Sequence, residues 1–205
     1  MKKDLVYLLL PMLFLYSGFV SAQENYQQEI QEYRTEKNAR FLDPARSPLP
    51  ADDIAAFEEL EYFPIKEEYK ISAVIHPSDE EEIIHLNTNG NDKISLRQYG
   101  DIEFTLDGKS YTMHVYRKDD LPEFAGSSEE LFLPFLDQSN GDETNQQGRY
   151  IAVDLPDEGL RTMVDFNKSM NPFSAYNEDL ESPLPPETNS LTIEMLAGER
   201  KYEDR

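Results

Sequence analysis

Apolar positions change their period along the chain. Over 24–41 (ENYQQEIQEYRTEKNARF), Tyr26, Ile30, Tyr33 and Phe41 recur near one face at spacings of four, three and eight, which predicts a helix. Lys37 fills the gap in that stripe. Asp43-Pro44 ends the helix, because proline excludes the helical region for the residue before it. Pro48 and Pro50 keep the next stretch extended, and Ala51 to Leu60 predicts a second, short helix docked through Ile54, Phe57 and Leu60. From Tyr69 the period becomes two. YKISAVIHP places Ile71, Ala73 and Ile75 on one face, and EEIIHL, KISLRQYG, DIEFTLDG and KSYTMHVYRK follow. Asp107-Gly108 between two alternating runs predicts a two-residue hairpin, whose turn needs positive φ at both central positions. LFLPFLD, RYIAVDL, RTMVDF and SLTIEML complete a set of about eight short strands. The expected fold is mainly β: a single-domain antiparallel roll, barrel or sandwich with one or two N-terminal helices. The acid-rich stretch 119–130 predicts a loop and 201–205 a frayed tail.

The N-terminus changes where this domain is expected to work. Lys2 and Lys3 precede a mostly apolar run from Leu5 to Val20, and Val20-Ser21-Ala22 offers small residues for cleavage. That is the layout of a secretory signal peptide over 1–22, and the run is shorter than the roughly 20 residues a spanning helix needs. The expectation is an exported protein, periplasmic or extracellular, with no stable membrane insertion after cleavage. Residues 23–60 would be a helical segment packed on a β domain over 61–200. The chain has no cysteine, so it has neither disulfides nor a thiol nucleophile, and burial must hold the fold. The formal net charge is −22. Such a surface repels phosphate backbones, which argues against nucleic acid as a partner and leaves cations, neutral ligands and basic partners.

Chemistry-bearing motifs are few. Asp137, Ser139 and Glu143 in LDQSNGDETNQQGRY offer oxygen ligands for a hard cation, but not at EF-hand spacing; the alternative is an Asx-rich turn that satisfies its own backbone. NTNGND at 87–92 has the same ambiguity and reads more simply as a hairpin turn. Arg149 at a strand start is either a clamp for a ligand's carboxylate or phosphate, or a structural tie to Asp165 or Glu143. His76, His85 and His114 show no zinc-binding spacing, and no nucleophile elbow or phosphate-binding glycine loop is present. No cofactor is implied. The segment DFNKSMNPFSAYNEDLESPLPPETNSL (165–191) combines Asn, Pro and acids with Phe166, Met170, Phe173, Tyr176, Leu180 and Leu184. That mixture predicts a rigid, ordered loop pinned over one end or face of the β core.

The order YRTEKNARFLDPARSPLP, FEELEYFPI, RQYGDIEFTLDGKSYTMHVY, LFLPFLDQSNGDETNQQGRYI, DFNKSMNP and SPLPPETNSLTIEMLAGER resembles the bacterial family called domain of unknown function 1684. Asp137, Gly141, Glu143, Thr144, Gly148, Arg149 and Tyr150 fit its pattern, as do Asp165, Phe166, Asn167, Asn171 and Pro172. Pro183 to Pro186, Asn189, Leu191 and Ala197-Gly198-Glu199 fit too. Both family cysteines are serine here, Ser174 and Ser182, and two family tyrosines are Asn145 and Met170. A disulfide or metal site that those cysteines would make in relatives is therefore lost at both ends together. The resemblance implies no reaction. It does single out Asp137, Glu143, Thr144, Arg149, Asp165, Asn167, Asn171, Asn189 and Glu199 as the candidate ligand-binding set.

Three functions compete on these residues. In the first, a β domain binds a small ligand or an envelope protein; Asp and Glu orient Arg149, and the Asn amides bond the ligand. In the second, a hydrolase-like enzyme uses Asp137 or Glu143 as general base. In the third, the chain is a structural envelope module. Arg149 and Asp165 facing a cavity would favour the first, and their burial in one ion pair the third.

Overall fold

The structure, a computed structural model, describes residues 6–117, 121, 130–156 and 159–202, with side chains from residue 23 onward. The expected loop over 119–130 lies outside the described residues apart from Leu121 and Glu130, as does 203–205 of the expected tail.

Helix α1 runs Val6–Phe41 and stops just before Asp43-Pro44. Seven antiparallel strands follow: β1 Lys70–Pro77, β2 Ile83–Asn87, β3 Lys93–Leu106, β4 Lys109–Tyr116, β5 Glu130–Phe135, β6 Arg149–Asp154 and β7 Arg161–Asp165. Their order is β6-β5-β4-β3-β1-β7, with β2 paired to the first part of β3. The two ends of that path approach each other, and Thr162 Oγ1 on β7 donates to the Asp154 carbonyl at the end of β6 (2.8 Å). The sheet is thus a nearly closed barrel in a single domain.

Period-two alternation builds its interior. Ile71, Ala73 and Ile75 of β1, Ile102, Phe104 and Leu106 of β3, and Tyr111, Met113 and Val115 of β4 all enter one cluster with Leu131, Leu133, Phe135, Ile151 and Val153. The two runs KISLRQYG and DIEFTLDG are one strand, β3, with a bulge between Gln98 and Gly100 that bends it from pairing β2 to pairing β1. Asp107 (φ 50°) and Gly108 (φ 75°) make the hairpin turn between β3 and β4. The NTNGND stretch is the turn of the β2–β3 hairpin.

Two expected elements do not form. Ala51 to Leu60 is a series of turns, beginning with Asp53 N to Pro50 O (2.9 Å) and Ala56 N to Asp53 O (3.0 Å). A ten-residue helix is marginal alone, and Glu58, Glu59 and Glu61 would crowd the negative end of its dipole. Its apolar residues still dock: Leu60 is buried, and Ile54 and Phe57 pack on Phe41, Leu49, Phe173 and Tyr176. So there is one N-terminal helix, not two. SLTIEML is not a strand either. It makes a single parallel bridge, Leu136 to Ser190, keeps two backbone bonds beside it through the Leu191 amide and the Ile193 carbonyl, and departs at Met195, whose amide and carbonyl are taken by the buried side chains of Asp137 and Arg149.

Candidate functional site

The candidate residues divide into a buried tie, a set of backbone pegs and a cleft wall. The tie is Arg149 with Asp137. Arg149 starts β6, is fully buried, and donates Nη2 to Asp137 Oδ2 at 2.9 Å. Its shortest other bonds go to the backbone, Nη2 to the Met195 carbonyl (2.6 Å) and Nη1 to the Ala197 carbonyl (2.6 Å), and Nη1 also reaches Ser169 Oγ and the Glu199 carbonyl (both 3.4 Å). Asp137 Oδ1 accepts from the Met195 amide (3.1 Å) and the Ser139 amide (2.8 Å). This one ion pair therefore takes up the polar groups of 195–197 that a neighbouring strand would otherwise satisfy. Burial pulls the guanidinium below its ordinary value, and the Asp137 charge opposes that pull. Arg149 pairs with Asp137, rather than with Asp165 or Glu143 as the tie was expected to run.

The turn after Asp137 completes its own bonding. Asn140 Oδ1 accepts from the Asp137 amide (2.7 Å), and Thr144 Oγ1 meets both Ser139 Oγ (2.8 Å) and Asn140 Nδ2 (2.9 Å). Its oxygens are occupied by protein donors, and Glu143 turns away to pair with Arg200. The three histidines lie against cross-strand partners: His114 on Asp101 (2.7 Å), His85 on Ser95 (2.9 Å) and His76 on Glu103 (3.5 Å).

The asparagines bond the backbone. Asn189 Nδ2 donates to the carbonyls of His114 (2.9 Å) and Pro134 (2.8 Å), and its Oδ1 accepts from the His114 amide (2.8 Å). It fills a gap: β4 and β5 share only the Tyr116–Phe132 pairing, and Pro134 has no N–H to give. Asn167 does the same for the chain at Lys66, accepting from its amide (2.9 Å) and donating to its carbonyl (2.7 Å). Asp165 caps the turn at Phe166–Lys168 and accepts from the Tyr26 hydroxyl (2.8 Å), so helix α1 is keyed into the end of β7. Arg149 and Asp165 are both buried, at 0% and 6% exposure.

The third group meets solvent. A cleft of about 520 Å³ lies between the turns of 53–61 and the C-terminal residues 199–202, with Asp142, Glu143 and Asn171 on its wall. Glu199 anchors it. The carboxylate is 1% exposed and pairs through Oε1 with Lys37, the residue in the gap of the helix stripe. Its Oε2 accepts from the Asn171 amide (2.9 Å), Asn171 Nδ2 (3.1 Å) and the Tyr176 hydroxyl. Burial, then the Glu199 charge, hold the Tyr176 phenol well above its ordinary value. Gly198 makes the close approach possible: its φ is +74°, and a Cβ there would lie 2.1 Å from Ser169 Oγ. Asn171 Oδ1 has no partner.

The sequence missed Lys37 as the counter-ion of Glu199, and it missed Tyr26 and Tyr176 as hydroxyl donors. The one signal was a lysine interrupting an apolar stripe. Ser174 and Ser182 do come together, with the Ser174 amide donating to Ser182 Oγ (2.9 Å).

The family model for a protein of unknown function, DUF1684, matches residues 55–200. The chain belongs to the DUF1684 family. A solved relative is an uncharacterized protein from Haloarcula marismortui, determined by solution NMR, 30% identical, with a TM-score of 0.67 over 88% of this chain and 96% of that one. No curated protein matches the chain. The span that matches DUF1684 contains Arg149, Asp137, Asn167, Asn189 and most of the cleft wall. Among the described residues no group of three metal-ligating side chains converges, and no helix is long and apolar enough to cross a membrane.

Proposed function

We propose that this DUF1684 protein is an exported binding domain, carried out of the cytoplasm by residues 1–22 and seating a small ligand in the cleft between 53–61 and 199–202. The cleft itself carries the reading. Its volume, about 520 Å³, falls within the range of small-molecule sites, and Glu143, Asn171 and Glu199 of the candidate set lie on it. Glu199 is fixed from behind by Lys37, which gives the wall a rigid base. The enzyme reading loses its residues: Asp137 is bound to Arg149 and Glu143 to Arg200, so neither suggested general base is free. A second reading, a structural envelope module, draws on the burial of Arg149, Asp137, Asn167 and Asn189 within the fold.

Thermal unfolding of the purified protein against a panel of divalent cations, amines, sugars, amino acids and organic acids separates the two. A ligand at a hundred times its dissociation constant adds about 2.7 kcal/mol to the folded state. A midpoint shift that disappears in a cleft variant supports the binding domain. A flat panel favours the structural module.

A further inference from the structure

The geometry points to a linear aliphatic oligoamine, ammonium groups joined by methylene spacers, as the ligand of the cleft; this rests on the reading of the cleft as a binding site. Seven carboxylates line it against Arg200 and Lys201. Two of the seven are matched already, Glu143 by Arg200 and Glu199 by Lys37. Asp53, Glu58, Glu59 and Asp142 stand exposed on the wall with their charge open to a ligand. In a chain of net charge −22 an acidic wall alone says little. The independent observation is Asn171. It is 1% exposed and lines the cleft, its Nδ2 is held by Glu199 and the Arg200 carbonyl (2.8 Å), and its Oδ1 is left unpartnered. A buried acceptor without a donor calls for an N–H, and an ammonium supplies up to three. Between the acids, Phe57, Leu60 and Tyr202 offer apolar and aromatic surface for methylenes and for cation–π contact. The volume suits a small molecule rather than a folded basic partner.

The test is calorimetric titration with spermidine at moderate salt. It compares the wild-type protein with Glu58→Gln/Glu59→Gln on the wall and with Glu67→Gln/Glu68→Gln, an equal charge change outside the cleft. One-to-one binding is expected, weakened about tenfold by the wall pair and less than roughly twofold by the outside pair. Equal weakening by both pairs would mean diffuse counter-ion attraction and would overturn the proposal, as would no binding. If spermidine fails while another compound of the thermal panel still gives a shift that the wall pair removes, the oligoamine falls and the cleft stands. If no compound does so, both fall.

Discussion

Strands β1, β3 and β4 and the segment from Asp165 to Arg200 bury side chains to the same degree by opposite means. In the strands every second residue is apolar, the backbone is satisfied by its neighbours, and the interior holds Ile75, Ile102, Met113 and Val115 at 0–1% exposure. In the later segment Asn167, Asn171, Asn189 and Glu199 are equally hidden at 0–1%, and each side chain bonds backbone groups directly. The first region follows a repeating rule. The second depends on single side chains at single places, and a buried polar group that loses its partner costs more than the bond was contributing. That asymmetry predicts where the molecule breaks.

Base should find the second region first. Tyr26, Tyr150 and Tyr176 donate their hydroxyls to Asp165, the Pro183 carbonyl and Glu199, whereas Tyr116 lies in β4. Burial raises the pKa of all four, that of Tyr116 to about 12. They stay protonated in the fold while the unfolded chain titrates near 10. Their contribution is therefore complete below pH 10 and is lost as pH rises above it. One unit beyond, at pH 11, the four together cost on the order of 6 kcal/mol. Absorbance at 295 nm and circular dichroism, followed together, should change in one cooperative step. Smooth titration near pH 10 with the dichroism intact would show that these hydroxyls are not locked.

Arg149→Met is the sharpest single cut. It leaves Asp137 charged and buried and takes the guanidinium donor from the carbonyls of Met195 and Ala197, for an expected loss of about 3–5 kcal/mol. Ile102→Ala removes comparable stability, about 2–5 kcal/mol, from the strand region. The comparison lies in the rescue. Adding Asp137→Leu to Arg149→Met removes the orphan charge and should recover part of the loss in urea unfolding, whereas the cavity left by Ile102→Ala remains whatever is done to Asp137. A double variant no more stable than Arg149→Met alone would assign the cost to the unbonded 195–197 backbone instead.

This division also explains what the sequence disclosed. Alternation named β1 to β7 and the Asp107-Gly108 turn because every residue in a strand votes for the same structure. It failed at 190–196, where the pattern Leu191, Ile193, Met195 is strand-like but the fate of the backbone is decided by Arg149, forty or more positions earlier. It failed at 51–60, where the apolar spacing was right for docking yet the acids opposed a helix. The candidate set was found through resemblance, and most of it is bonded within the fold. A pattern match marks positions that matter without saying whether they matter to the fold or to a ligand. Lys37 gave the cleft's anchor away only as a break in a stripe, since nothing local says which distant acid such a lysine meets.

The 174–182 pair offers a gain rather than a loss. Ser182 Oγ accepts from the Ser174 amide, which brings the two positions together across a short loop. Ser174→Cys/Ser182→Cys should oxidise to a disulfide and stabilise the fold by about 2–3 kcal/mol through loop closure. If the polar segment is already as rigid as its bonds imply, the thermal midpoint should rise under oxidising conditions and return on reduction. Free thiols after oxidation would mean that the two side chains do not approach as described.

The smallest effect tests whether polar ties outside the buried segment matter at all. Glu29 on helix α1 reaches Lys168 (2.7 Å) and Lys70 (3.3 Å), joining the helix to β1 and to the turn after β7. The hydrogen bond from Lys168 holds its carboxyl below the ordinary value, against the opposing cost of burial. A depressed pKa contributes stability that is present above the unfolded carboxyl's titration and is lost as pH falls through the folded value. The side chain is 46% exposed, so solvent screens the pair to less than about 1 kcal/mol. Glu29→Gln should therefore cost under about 1 kcal/mol at pH 7, cost less as pH falls through the folded carboxyl's titration, and cost less as salt rises. A loss as large as that of Arg149→Met would mean that the helix, rather than the buried segment at 195–199, holds the end of the barrel. A loss within these limits would leave that role to the fully buried Arg149–Asp137 pair.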